Sequence, residues 1–194
     1  MRRLYDKDFK RIGKRLLVEG LVGGNLGNMS MRADGGFFIT HTGCYLDEPG
    51  HPIFVPQEGL APPDASSEYR VHREVYRKTR HLAIVHAHPA HAVAASLVYD
   101  EIIPNDTVGE LRCPVIPVVR GQPGSDEIAR TVSKTLCISR LVLVHGHGSF
   151  AAGKSLDEAY ILTSFAEQSC QILWLADSLR LQRSGLTDLK KQAH

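Results

Sequence analysis

At 194 residues the chain is long enough for one sizeable core and too short for two, and its 43% apolar and 23% charged residues are ordinary for a globular protein in water. A net charge of +2, with acids and bases interleaved, argues against a polybasic nucleic-acid binder. The scattered Cys44, Cys113, Cys137 and Cys170 form no Cys-x-x-Cys pair, no signal-peptide stretch opens the chain, and no apolar run nears the roughly 20 residues that span a bilayer, so a reduced, cytoplasmic protein is expected.

Residues 6–20 read as a helix, with Phe9, Ile12, Leu16 and Leu17 on one stripe, ended by the glycines from Gly20 to Gly27. Asn25 to Met31 lead into a strand, and Gly35-Gly36 turns a hairpin into Phe37-Phe38-Ile39-Thr40. Residues 44–63 carry five prolines and read as loop plus a short edge strand at Phe54-Val55. A helix follows, starting near Ser66 or Ser67 with Asp64 as an alternative cap, and running to about Arg80. Its Arg70, Arg73, Arg77, Lys78 and Arg80 are interleaved with Glu68 and Glu74, as on a solvated or subunit-contacting face.

A strand at 82–88, a helix from Ala90 to about Leu97, a strand at Val115–Val119 and a helix from Ser125 to Leu136 come next. The strand 141–145 precedes a glycine-rich turn, and Leu156 to Leu181 read as a long amphipathic helix with one break. A polar segment from about residue 186 reads as a mobile tail. With no repeat or linker, residues 1–194 read as a single domain with helices on both sides of a mixed sheet. No Gly-x-Gly-x-x-Gly follows an early strand, which counts against a dinucleotide fold.

The most informative segment is Ile84-Val85-His86-Ala87-His88-Pro89. A two-residue period sends His86 and His88 to one face of an apolar strand, where two neutral imidazoles make a claw for a divalent transition metal. Each alone would read as a structural histidine bonded to a backbone carbonyl. A further His-x-His, His145-Gly146-His147, offers a third ligand from either His145 or His147. His91 reads as a supporting or merely solvated residue, and His41, His51, His72, His81 and His194 have no motif support.

Ser66-Ser67-Glu68 reads equally as capping chemistry or as an anion site built on free N–H groups and hydroxyls, with Glu68 as metal ligand or base. Gly24 to Ser30 and Thr42-Gly43 are turns that add neutral donors suited to a phosphate ester, without a Walker-type lysine.

The ordered set Gly27-Asn28-Met29-Ser30, Thr42-Gly43, Ser66-Ser67-Glu68, His86-Ala87-His88-Pro89 and His147-Gly148 followed by Gly153-Lys154-Ser155-Leu156-Asp157-Glu158-Ala159 resembles the class II aldolase/adducin family, and within it the L-fuculose-1-phosphate aldolase branch. The resemblance implies an α/β three-layer α/β/α sandwich around a mixed, largely antiparallel sheet. It also implies a cyclic homotetramer with active sites at subunit interfaces. Carried over by residue, it makes His86, His88 and His147 the Zn²⁺ ligands, the glycine spacing selecting His147 over His145. Glu68 becomes the carboxylate that approaches the metal and moves the proton, and Asn28, Thr42, Gly43, Ser66 and Ser67 become the phosphate pocket.

The implied reaction is zinc-dependent cleavage or formation of a small ketose 1-phosphate, giving dihydroxyacetone phosphate and an aldehyde such as lactaldehyde. The implied partners are the sugar phosphate and further copies of the chain, with no nucleic acid or membrane. Related epimerases carry Asp where Glu68 stands, and adducin-like members generally lose the metal histidines that this chain keeps. There are departures: Thr40-His41-Thr42-Gly43 replaces the usual Thr-Pro-Ser-Gly, and the stretch after Pro104 offers no tyrosine to protonate the aldehyde oxygen. Tyr99 lies slightly early, and the C-terminal tail, which closes over the site in these aldolases, has no aromatic. The alternatives are a dehydratase or decarboxylase of a phosphorylated sugar or sugar acid on the same metal platform, or a non-catalytic adducin-like interaction module.

Overall fold

The apolar segment that carries His86 lies at the middle of an eight-stranded sheet. A computed structural model describes the backbone of residues 2–192 and the side chains of residues 5–183. Helix α1 (Arg2–Val18) leads into the strands β1 (Asn28–Ala33), β2 (Gly36–Ile39) and β3 (Ile53–Pro56). Then come α2 (Tyr69–Lys78), β4 (Ala83–Ala87), α3 (Ala90–Ser96), β5 (Glu101–Ile102), α4 (Thr107–Arg112) and β6 (Ile116–Val119). The chain closes with α5 (Asp126–Thr135), β7 (Leu141–Val144), β8 (Gly148–Gly153) and α6 (Leu156–Gln192). The sheet order is β3-β2-β1-β4-β8-β7-β6-β5. Every pairing is antiparallel except β6 with β7, so the sheet is mixed and mostly antiparallel.

Alternation along β4 sorts the two layers. Ala83, Val85 and Ala87 join the core formed with α1 and α6, whereas Ile84 joins the core formed with α2 and α5. All five β4 residues are buried, as expected for a strand covered on both faces. On α1, Phe9, Ile12 and Leu16 are fully buried, each contributing about 1.5–3 kcal/mol by leaving water. The helix stops at Gly20, whose φ of 68° lets Leu21 N–H reach the Leu16 carbonyl at 2.9 Å and Gly20 N–H reach that of Leu17 at 3.0 Å.

Several boundaries differ from the sequence reading. Helix α2 begins at Tyr69, because Ser66 and Ser67 are held in a preceding turn in which Ser66 N–H pairs with the Thr40 carbonyl at 3.1 Å. The glycine-rich segment after His147 is a strand, β8, despite its Gly-Ser-Phe-Ala-Ala-Gly composition. It lies between β4 and β7, where small side chains let α6 approach the sheet; at Gly148 a Cβ would stand 2.4 Å from the Ala87 carbonyl oxygen. The short elements β5 and α4 lack a periodic signal in the sequence, and α6 runs unbroken through Gln192. No helix among the described residues is long and apolar enough to cross a membrane.

Candidate active site

Three strand ends meet at one place: β1 begins, β4 ends and β8 begins there. Asn28 is the cross-strand partner of His86. His86 is 1% exposed and stacks on Phe150, its neighbour on β8, with ring centroids 4.2 Å apart and planes 16° apart. The His86 Nδ1–H donates to the Ser149 carbonyl at 2.9 Å, which leaves Nε2 as the free lone pair. That Nε2 faces His88 Nε2 at 3.1 Å. His88 lies one residue beyond β4, its backbone N–H tied to the Leu21 carbonyl at 2.9 Å.

The third imidazole comes from the β7–β8 turn. His145 N–H is spent on the Val119 carbonyl of β6 at 2.8 Å, and Gly146 turns the chain with φ 64°. His147 N–H then closes onto the Val144 carbonyl at 3.0 Å, and its ring stands 4.9 Å from that of His86 and 5.0 Å from that of His88. One nitrogen from each of His86, His88 and His147 falls within a 4.8 Å group, and His145 does not belong to it.

Burial lowers all three imidazoles: His86 far below its ordinary value, with its two neighbours adding to the effect, His88 to about 4, and His147 in the same direction. Neutral imidazoles are the form that ligates, so the donor set and its protonation fit a divalent transition metal.

The wall opposite is built by an irregular pairing of two loops. His41 bridges to Ala65, Thr42 N–H reaches the Asp64 carbonyl at 3.0 Å, and Ser66 N–H reaches Thr40 as described. This sets Thr42-Gly43 beside Ser66-Ser67, and Gly43 takes φ 68°. Ser66 Oγ accepts the Glu68 N–H at 3.4 Å, whereas Ser67 keeps its N–H and hydroxyl without partners among the described residues. Glu68 is the residue before α2, 7% exposed, and caps nothing with its side chain. Its Oε2 is buried and unpartnered, as are Asn28 Oδ1 and His147 Nδ1. Desolvation raises the Glu68 carboxyl above its ordinary value, with the Gly124 N–H working against it.

All nine candidate residues line a single cavity of 180 Å³. Asn25, Leu26, Gly27 and His41 line it as well, and no lysine or arginine among the described residues does. His41 had no motif support in the sequence; its position between Thr40 and Thr42 was the available signal. It is held by a bond from Nε2 to the His51 carbonyl at 2.8 Å. His72 was also unmarked, and it forms a buried polar triad beneath the site: its Nδ1 lies 2.6 Å from Ser30 Oγ, which lies 2.7 Å from Tyr76 OH. Full burial takes His72 down to about 3.

His91 pairs with Glu167 of α6. The Glu167 carboxylate accepts His91 Nδ1–H at 2.7 Å, His91 N–H at 3.1 Å and Ala92 N–H at 3.0 Å. It thereby caps α3 three residues after His88. Tyr99 is not at this cavity but borders a different hollow, between α3 and α6, with Trp174.

The chain is similar to known proteins. Residues 7–174 match the family model described as Class II Aldolase and Adducin N-terminal domain, and the chain belongs to that family. It is 28% identical to an L-fuculose phosphate aldolase of Methanococcus maripaludis, over 89% of this chain and 98% of the relative. It is 30% identical to a 3-oxo-tetronate 4-phosphate decarboxylase of Cupriavidus necator, over 85% of this chain and 81% of that one. The crystal structure of L-fuculose-1-phosphate aldolase from Thermus thermophilus superposes with a TM-score of 0.87 at 37% identity, covering 90% of this chain and 95% of that one. The fold and the histidine cluster support an enzyme of the class II aldolase type.

Proposed function

We propose that this chain is a zinc-dependent aldolase of small ketose 1-phosphates, of the L-fuculose 1-phosphate kind, yielding dihydroxyacetone phosphate and an aldehyde such as lactaldehyde. One observation carries the reading: a single cavity gathers three neutral imidazoles, a buried carboxylate with one oxygen unpartnered and a rim of neutral donors. The names of the Methanococcus and Thermus relatives point the same way.

His86, His88 and His147 would hold the metal. A bound divalent ion supplies a Lewis acid for a substrate carbonyl and its neighbouring hydroxyl. The hydroxyls of Thr42, Ser66 and Ser67, the Asn28 amide and the Gly43 backbone bind the phosphate and so fix which carbon faces Glu68. In cleavage, the hydroxyl on the departing carbon loses its proton to water as its carbonyl forms, the carbon–carbon bond breaks with its electron pair left on the dihydroxyacetone phosphate fragment, and the Glu68 carboxyl gives that carbon its proton. In synthesis the carboxylate removes the same proton. Burial, which raises the proton affinity of Glu68, suits it to both directions.

We place the enzyme in the cytoplasm as a cyclic homotetramer, in keeping with four free cysteines and with the exposed apolar Val98, Ile103 and Leu111. A second reading, decarboxylation of a phosphorylated sugar acid, is favoured by the Cupriavidus relative. Both readings are tested with metal-free and zinc-restored protein, assayed on L-fuculose 1-phosphate and on a phosphorylated 3-oxo sugar acid. Zinc-dependent cleavage of the first substrate supports the aldolase. Turnover of the second alone supports the decarboxylase, and full turnover in verified metal-free protein refutes both.

A further inference from the structure

The outer face of the α2–α5 pair carries chemistry that the candidate site does not use. A hollow of 230 Å³ between these helices is lined by Arg70, Arg73 and Arg77 of α2 and Arg130 of α5, against the carboxylates of Glu74 and Asp126. Those carboxylates are already engaged. Glu74 Oε1 lies 3.0 Å from Arg77 Nη2 and 2.9 Å from Lys78 Nζ, and Asp126 Oδ1 lies 3.6 Å from Arg70 Nε. Arg73 and Arg130 have no acidic partner among the described residues.

Arg73 is the more informative of the two. Its Nε and Nη2 are buried from solvent and donate to nothing, and a buried donor left unmade costs about 1–3 kcal/mol. Its guanidinium is held over the Tyr69 ring at 5.1 Å, and Arg70 shares that ring at 4.8 Å. Two like charges are thus gathered on one aromatic ring, with donors unspent and a further free arginine across the groove. An anion bearing several oxygens relieves both the repulsion and the missing bonds. Arginine forks match the oxygen spacing of phosphate. The volume is below the roughly 300–1,000 Å³ of pockets for drug-sized ligands, which selects a small ion or headgroup.

We infer that the α2–α5 groove binds a small, multiply charged oxyanion of the phosphate class, held by Arg73 and Arg130 with Arg70 beside them. Its neighbours give the site a consequence. Tyr69 directly follows Glu68, and Asp126 opens α5 two residues after Gly124, whose N–H acts on the Glu68 carboxyl. An anion bridging the helices braces both segments that flank Glu68.

The test uses the full-length, metal-loaded protein. Calorimetric titration with inorganic phosphate should show a saturable site that weakens at least tenfold in R73Q/R130Q and persists in S67A, a variant that reports on the candidate active-site cavity instead. R130Q alone, at an exposed position, keeps the test open if R73Q impairs folding. A parallel titration with glycerol 3-phosphate separates the sources: equal affinity assigns the free ion, and tighter binding assigns a phosphate ester. Crystals soaked in selenate should show an anomalous peak within hydrogen-bonding distance of Arg73. Unchanged phosphate binding in R73Q/R130Q overturns the inference. So does a selenate peak without saturable binding in solution, an adventitious ion only, or acidic side chains of a second copy filling the groove.

Discussion

Replacing Glu68 with Gln separates what this side chain does for the reaction from what it does for the fold. The substitution keeps the shape and one carbonyl oxygen but removes the negative charge and the basic lone pair. A positioned general base contributes roughly 10²–10⁴-fold, and at about 1.36 kcal/mol per decade the lower bound is about 2.7 kcal/mol of barrier. Proton exchange on dihydroxyacetone phosphate, followed by loss of the NMR signal in deuterated water, should therefore slow by roughly 10²-fold or more.

Stability should move the other way. Folding raises the Glu68 carboxyl above its unfolded value by desolvation, so its ionisation costs stability above the folded pKa and costs nothing below the unfolded one. At neutral pH the metal-free E68Q protein should unfold at a temperature equal to or above wild type. Wild-type proton exchange in E68Q would remove Glu68 from the mechanism, and a large drop in unfolding temperature would show its carboxylate to be structural.

His147→Ala removes one member of the imidazole group and should lower zinc affinity, measured against a chromophoric chelator, by more than the 10–100-fold typical of losing a supporting residue; unchanged affinity would pass the ligand role to His145. Glu167→Ala frees the start of α3 and should weaken zinc binding on the order of tenfold through His88, with E167Q partly restoring it; equal affinity in all three proteins would make Glu167 a cap and nothing more. The depressed imidazoles set a pH dependence with a definite sign. Between pH 6.5 and about 4 the unfolded chain takes up a proton that folded His88 refuses, so metal-free protein should lose stability on acidification through that window. Urea midpoints of a His88→Asn variant should fall less steeply over the same range, and parallel slopes would refute the assignment.

The sequence by itself determined the parts whose signal is local. The two-residue period of an apolar strand sets His86 and His88 together, and the spacing of Phe9, Ile12 and Leu16 defines the buried stripe of α1. Ser66-Ser67-Glu68 announces chemistry at a helix entrance, although not whether it caps the helix or faces a ligand. The tertiary structure bears on that question, because pairing of residues 40–42 with 64–66 consumes the Ser66 N–H and leaves Ser67 and the Glu68 Oε2 without partners among the described residues. It also chose His147 over His145, since β6 takes the His145 N–H and Gly146 turns the chain before the next side chain emerges. Strand β8 was illegible because glycine and alanine have little intrinsic preference for strands; its place between β4 and β7 imposes the conformation. His72 and Glu167 could not be found by pattern, because their partners lie 42 and 76 residues away along the chain and only the packing of helices on the sheet brings them together.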